Sequence, residues 1–175
     1  LSSSVIAALT LDQIRALETA QVAALSSSQM GSLTTSQVAV LTSGQIGAIS
    51  TSSLAGTGTA QLAVLSAGQV AGFSTAQVGA LSTAQVAALT TTFTTALSTA
   101  QLNGLSSTQV GSLATANLAG ITPANLAAVG TAGLRGLSSN QVAALTVNQV
   151  ASLTSDQVVA LTSVQMDGLT TAQIA

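Results

Sequence analysis

Leu81-Ser82-Thr83-Ala84-Gln85-Val86-Ala87-Ala88 is one eight-residue unit, and the same unit recurs with variations along the whole chain. Counted from Leu1, its fifth position falls at residues 5, 13, 21 and onward to 173, and Gln holds 16 of those 22 places. Position 1 is Leu in 17 of 22 octads, the others being Ile49, Thr57, Phe73, Ile121 and Val129. Position 2 is Ser or Thr in 18, with Glu18, Gly58, Ala114 and Gly130 as exceptions. Position 6 is Val, Ile, Leu or Met everywhere but Thr94, and positions 7 and 8 are mostly Ala, Gly or Ser. No insertion or deletion shifts this frame. A repeat so short and regular specifies a quasi-one-dimensional architecture, in which each unit packs on its neighbours and none folds alone.

A continuous helix does not fit the period. Eight residues at about 100° each leave a remainder of about 80°, so the Leu positions would spiral around the axis instead of forming a stripe. Each octad therefore contains a bend, and its local chemistry says where. Ser or Thr at position 2 with Gln at position 5 is the capping box, in which hydroxyl and amide side chains each satisfy an orphan backbone N–H. Leu at position 1 and Val at position 6 then stand where the hydrophobic staple does.

The outliers agree with this register. Pro123 falls at position 3, the first helical residue, where proline is tolerated. Asp12 and Asp156 at position 4 and Glu18 at the cap stand at the positive end of the helix dipole, and Arg15 and Arg135 at position 7 near its negative end. Asp167, also at position 7, runs against the trend.

These features predict an all-α solenoid of very short capped helices, one per octad, each running from about position 3 to position 8. Helices of that length are not stable alone and must bury Leu and Val against neighbouring octads. Positions 2, 3 and 4 are expected on the outside. The alternative is a β-solenoid, favoured by the Ser/Thr/Val content and by Gln ladders, but opposed by abundant Ala and the lack of strict alternation.

The repeat is interrupted at Ser53 with Gly56-Thr57-Gly58, at Phe93, and across Ala114 to Gly136, where Asn117, Asn125 and Gly133 replace Gln. These interruptions read as drift in a tolerant array; the alternative is that Phe73 and Phe93, the only aromatic residues, mark a contact between turns or with a neighbouring subunit. Residues 1–175 read as a single continuous array. It starts on position 1 and stops on position 7, as a segment of a longer protein would.

Composition narrows the function. Charged residues make up 3%, with two Arg, no Lys and no His. Counterion-release binding to nucleic acid has no basis in such a chain, nor has a basic membrane-surface helix. No run approaches the ~18 apolar residues of a membrane span, and no cationic start followed by an apolar stretch suggests a signal peptide.

Catalysis needs a titratable group in a tuned environment. The four acids are scattered, His and Cys are absent, and the serines have no base to activate them. Metal ligands are missing, and Gly56-Thr57-Gly58 lacks the lysine of a phosphate loop. The expectation is a non-enzyme with no catalytic, cofactor-binding or metal site and no small-molecule substrate.

Two resemblances follow from the motif. Leu153-Thr154-Ser155-Asp156-Gln157-Val158-Val159-Ala160-Leu161 resembles the opening helix of the TAL-effector DNA-binding repeat. The long period, base-reading pair and basic charge of that repeat are absent, so no DNA-binding function carries over. All 22 octads are similar to the Leu-Thr-x-x-Gln-Val-x-Ala-Leu arrays of very large bacterial secreted or surface proteins described as adhesin-like. That resemblance implies an extracellular structural or adhesive role and names no site.

The functional expectation is a self-associating structural repeat, forming an extracellular filament, stalk or matrix component of a bacterial surface with itself as partner. An ice-binding face is one alternative, suggested by Ser/Thr pairs such as Thr34-Thr35, Ser82-Thr83 and Thr170-Thr171. An adhesin spacer is the other.

Overall fold

The computed structural model describes residues 2–175. Among them are 22 helices of four to six residues, one in each octad and numbered α1 to α22 in chain order, and no strand. The first is α1 (Ser3–Ala7), and each later helix likewise begins at octad position 3. The all-α solenoid is adopted and the β-solenoid is not. The capping chemistry explains why. In each octad position 2 is extended, as at Ser74 (φ −76°, ψ 159°), and its hydroxyl accepts the position-5 amide at most helices. Most helices end at position 6 or 7, a little earlier than expected, because the chain must already turn towards the next cap.

Every well-populated contact between helices joins elements three apart in the chain. Thus α1 lies on α4 (Ser27–Ser32), and α4 on α7 (Thr51–Leu54). Three octads, or 24 residues, make one turn of a three-sided coil, and successive turns stack side to side.

Positions 1, 5 and 6 point inwards and positions 2, 3, 4 and 7 face solvent. The inward residues form one hydrophobic cluster running from Ile6 to Leu145. Position 6 is covered by the turn that follows: Ile6, Ile14 and Val22 in the first turn are fully buried, whereas Val158, Met166 and Ile174 in the last are exposed. Phe73 and Phe93 lie inside this core with ring centroids 5.7 Å apart. The alternative of a contact with a neighbouring subunit is therefore corrected: both rings are buried within the coil and neither reaches the surface.

Glycines set how closely the turns approach. A Cβ added to Gly56 would lie 1.9 Å from the Ser27 carbonyl oxygen, one turn below, and one added to Gly136 would lie 1.9 Å from that of Ser107. Backbone meets backbone there, with no room for a side chain.

Candidate functional site

The recurring polar constellation of the interior is a ladder of glutamines. Gln77 shows its geometry. Its Oε1 accepts the Ser74 amide at 2.7 Å, and the Ser74 hydroxyl accepts the Gln77 amide at 3.1 Å, completing the capping box. Its Nε2 then donates to the carbonyls of Ile46 at 2.9 Å and Ile49 at 2.6 Å in the preceding turn. One side chain thus starts its own helix and closes the carbonyl end of another, answering orphan groups at both termini.

The pattern repeats at Gln45, Gln69, Gln101, Gln149 and Gln165, always onto carbonyls 28 and 31 residues earlier. From Gln37 to Gln165 these glutamines are buried, so each amide group must be satisfied inside the coil. Glu would serve the capping box equally well. It offers no N–H to the carbonyls beneath, and its charge would face two oxygens out of water. This is the physical reason for the choice of Gln at position 5.

Where Gln is absent the ladder thins. Ser53 reaches the Leu25 carbonyl, Asn117 that of Leu89, and Asn125 that of Leu97, one bond each. Phe93 and Gly133 bring no donor to position 5. At Gly58 and Glu18 only the reciprocal half of the box forms, with Gln61 and Gln21 accepting their amides at 2.6 and 2.8 Å.

The ionisable residues lie on the outside. Arg15 and Asp12 form an exposed ion pair at 3.0 Å one turn of helix apart, a contact worth about 0.3–0.5 kcal/mol at most. Glu18, Asp156 and Asp167 are exposed. Arg135 donates through Nε to the Ala160 carbonyl at 3.2 Å, closing a helix end of the next turn. It borders an open groove of about 550 Å³ shared with Ser107, Thr108 and Thr131. Among the described residues no three His, Cys, Asp or Glu side chains lie close enough together to hold a metal ion. No helix among them is long and apolar enough to cross a membrane.

A model of the ALTTAQ repeat matches residues 1–27, 15–51, 54–91 and 118–155. The chain belongs to the ALTTAQ repeat family. The six letters fall on octad positions 8 and 1 to 5, read here as Ala80-Leu81-Ser82-Thr83-Ala84-Gln85. No curated protein matches the chain.

The octad pattern shows the capping half of each ALTTAQ glutamine, whereas the half that reaches the turn below is not visible within a single octad. A signal for it was present. Gly31, Gly47, Gly79 and Gly111 at position 7 are each followed 25 residues later by a position-8 glycine: Gly56, Gly72, Gly104 and Gly136. In the structure these are touching pairs. A Cβ on the first would lie 2.5–2.9 Å from the carbonyl oxygen of the second. The pairing writes the three-octad turn into the sequence.

Proposed function

We propose that this chain is a structural, self-associating repeat module of an extracellular filament, stalk or matrix on a bacterial surface. One observation carries the reading. The amide ladder and capping boxes satisfy backbone groups internally, leaving an outer surface rich in Ser, Thr and Ala, with scattered exposed apolar side chains such as Val64, Val147 and Val159 and only six charged residues in the chain. Such a surface lacks the charge repulsion that keeps ordinary proteins apart, and a coil with the same geometry in every octad extends without a size limit. The role is non-catalytic and takes the chain itself as partner, through open contacts that do not close into a ring.

The test is electron microscopy of the purified chain over a concentration series, with sedimentation on the same samples. Uniform fibres or bundles that grow with concentration are expected. A monodisperse rod at all concentrations overturns self-association and leaves a passive spacer.

A second reading, ice binding, has one feature in its favour. Stacking three octads per turn aligns Thr35, Thr59, Thr83, Ser107, Thr131 and Ser155 as an unbroken exposed hydroxyl row on one flank. Thermal hysteresis abolished by replacing Thr59, Thr83 and Thr131 with Lys supports that reading, and its absence from the unmodified chain removes it.

A further inference from the structure

We propose that the coil Leu113–Gly136 is a built-in opening point, at which the solenoid parts into two rigid blocks before any other interior turn unfolds. Three independent features converge on it. First, it is a full turn of three octads with no Gln at position 5, since Asn117, Asn125 and Gly133 stand there. The ladder bonds that its position-5 side chains make to the turn below fall to one from Asn117, one from Asn125 and none from Gly133, against two or more from each of Gln61, Gln69 and Gln77.

Second, its helix starts are weak. Neither α15 (Thr115–Leu118), starting from Ala114, nor α17 (Thr131–Leu134), starting from Gly130, has a side-chain cap. The helix between them, α16 (Pro123–Ala127), keeps only the Thr122 half of the box. Third, the core is incompletely filled at this level. A small apolar cavity of about 20 Å³ is lined by Leu102 and Val110 of the turn below and by Leu118, Leu126, Val129 and Leu134 of this coil. With almost no polar lining it stays dry, so its walls lose packing contacts on that side.

In place of the ladder, Thr94 Oγ1 donates to the Asn117 carbonyl at 3.1 Å, Thr99 Oγ1 donates to Asn125 Oδ1 at 3.0 Å, and at the third octad there is an exposed latch. Asn103 Oδ1 accepts the Gly130 amide at 2.8 Å, replacing from the turn below the acceptor that Gly133 cannot supply. Its Nδ2 donates to the Ala128 carbonyl at 3.0 Å. These bonds lie in solvent, where water competes for the same groups. In a solenoid each turn touches only its neighbours, so the weakest interface opens by itself while the flanking blocks persist. Above the coil the ladder is complete again, with Gln149 and Gln157 each donating two bonds down to it and Gln165 donating to Leu134 and Leu137, while Gln141 at its edge donates to Val110, Gly111 and Leu113.

Native-state hydrogen exchange on the full chain tests this. The amides of Leu118, Ile121, Leu126, Val129 and Leu134 each donate to a backbone carbonyl within their own octad or its junction, as do those of Leu62, Leu65, Val70, Val78 and Leu81. The first group is expected to exchange at least about 10-fold faster than the second. Asn103→Ala should widen that gap without touching the second group. The combined variant Ala114→Ser, Asn117→Gln, Asn125→Gln and Gly130→Ser should close it. Uniform protection, an interior minimum at Phe93 instead, or a repaired variant that exchanges as fast as the parent overturns the proposal. Should Asn103→Ala fail to fold, the parent and the repaired variant decide the matter.

Discussion

At the scale of single residues, the two-sided use of Gln makes sharp predictions. In Gln77→Glu the capping contact to the Ser74 amide survives, while the carbonyls of Ile46 and Ile49 lose their donor and meet a buried carboxylate. An uncompensated buried charge costs about 3–5 kcal/mol, so the variant should melt far below the parent at neutral pH. Burial raises a carboxyl's folded-state pKa above its unfolded value. The loss is therefore largest above that raised pKa and shrinks as the pH falls through it. Thermal melts of the variant and the parent between pH 4 and pH 8 check both sign and trend. A penalty that does not change with pH refutes the account. Thr57 provides the opposite case. It stands where Leu is usual, it is buried, and its Oγ1 has no partner. Thr57→Val removes the unpaired hydroxyl at constant shape and should raise stability by about 1 kcal/mol, read from the shift in denaturation midpoint.

Among elements, helix length follows three of the four glycine pairs; the fourth, Gly79 with Gly104, joins two five-residue helices, α10 (Thr75–Gly79) and α13 (Thr99–Asn103). The six-residue helices α4, α6 (Ser43–Ala48) and α14 (Ser107–Ser112) each lie under a four-residue one: α7, α9 (Ala67–Val70) and α17. The longer helix carries glycine at position 7, the shorter is followed by glycine at position 8, and the two backbones meet. Gly136→Ala should therefore cost about 1–3 kcal/mol as an overpacked contact, since its Cβ would fall on the Ser107 carbonyl. Gly58 differs. It is a helix cap at φ −74°, and the nearest atom to an added Cβ is the Gln61 side-chain oxygen at 3.4 Å. Gly58→Ser supplies a missing cap and should stabilise by a few tenths of a kcal/mol. Chemical denaturation of both variants checks that the two glycines respond with opposite sign.

For the molecule as a whole, the turn and not the octad is the unit that can be removed cleanly. Excising Phe73–Ala96 deletes one full turn and sets Gly104 above Ala55 and Gly120 above Ala71, small residues on small residues. Excising Leu81–Ala88 alone shifts every pairing across the cut and puts Ser112 over Gly79 in place of Gly104. The 24-residue deletion should keep its helical circular dichroism and melt at the higher temperature of the two. A single-octad deletion that proves the milder change contradicts a three-octad turn.

Much of this was legible in the octad itself. Ser74, Gln77 and Val78 state where a helix starts, which side chain caps it and which residue it buries, because capping and local periodicity act within a few residues. Pro123 at the first helical position confirmed the frame without any tertiary information. The number of octads per turn, the direction in which position 6 is covered, and the second partner of Gln77 were not legible in that way. They depend on groups 24 to 31 residues distant, and nothing within one octad distinguishes two, three or four octads per turn. The glycine pairs, such as Gly31 with Gly56, carry that information only as a spacing, whose meaning appears once the backbones are seen to touch. Capping and local periodicity within each octad dictate a solenoid of capped helices. Tertiary packing decided its three-sided turn and turned each capping glutamine into the tie between turns, because only stacking brings a spare amide N–H against otherwise unanswered carbonyls.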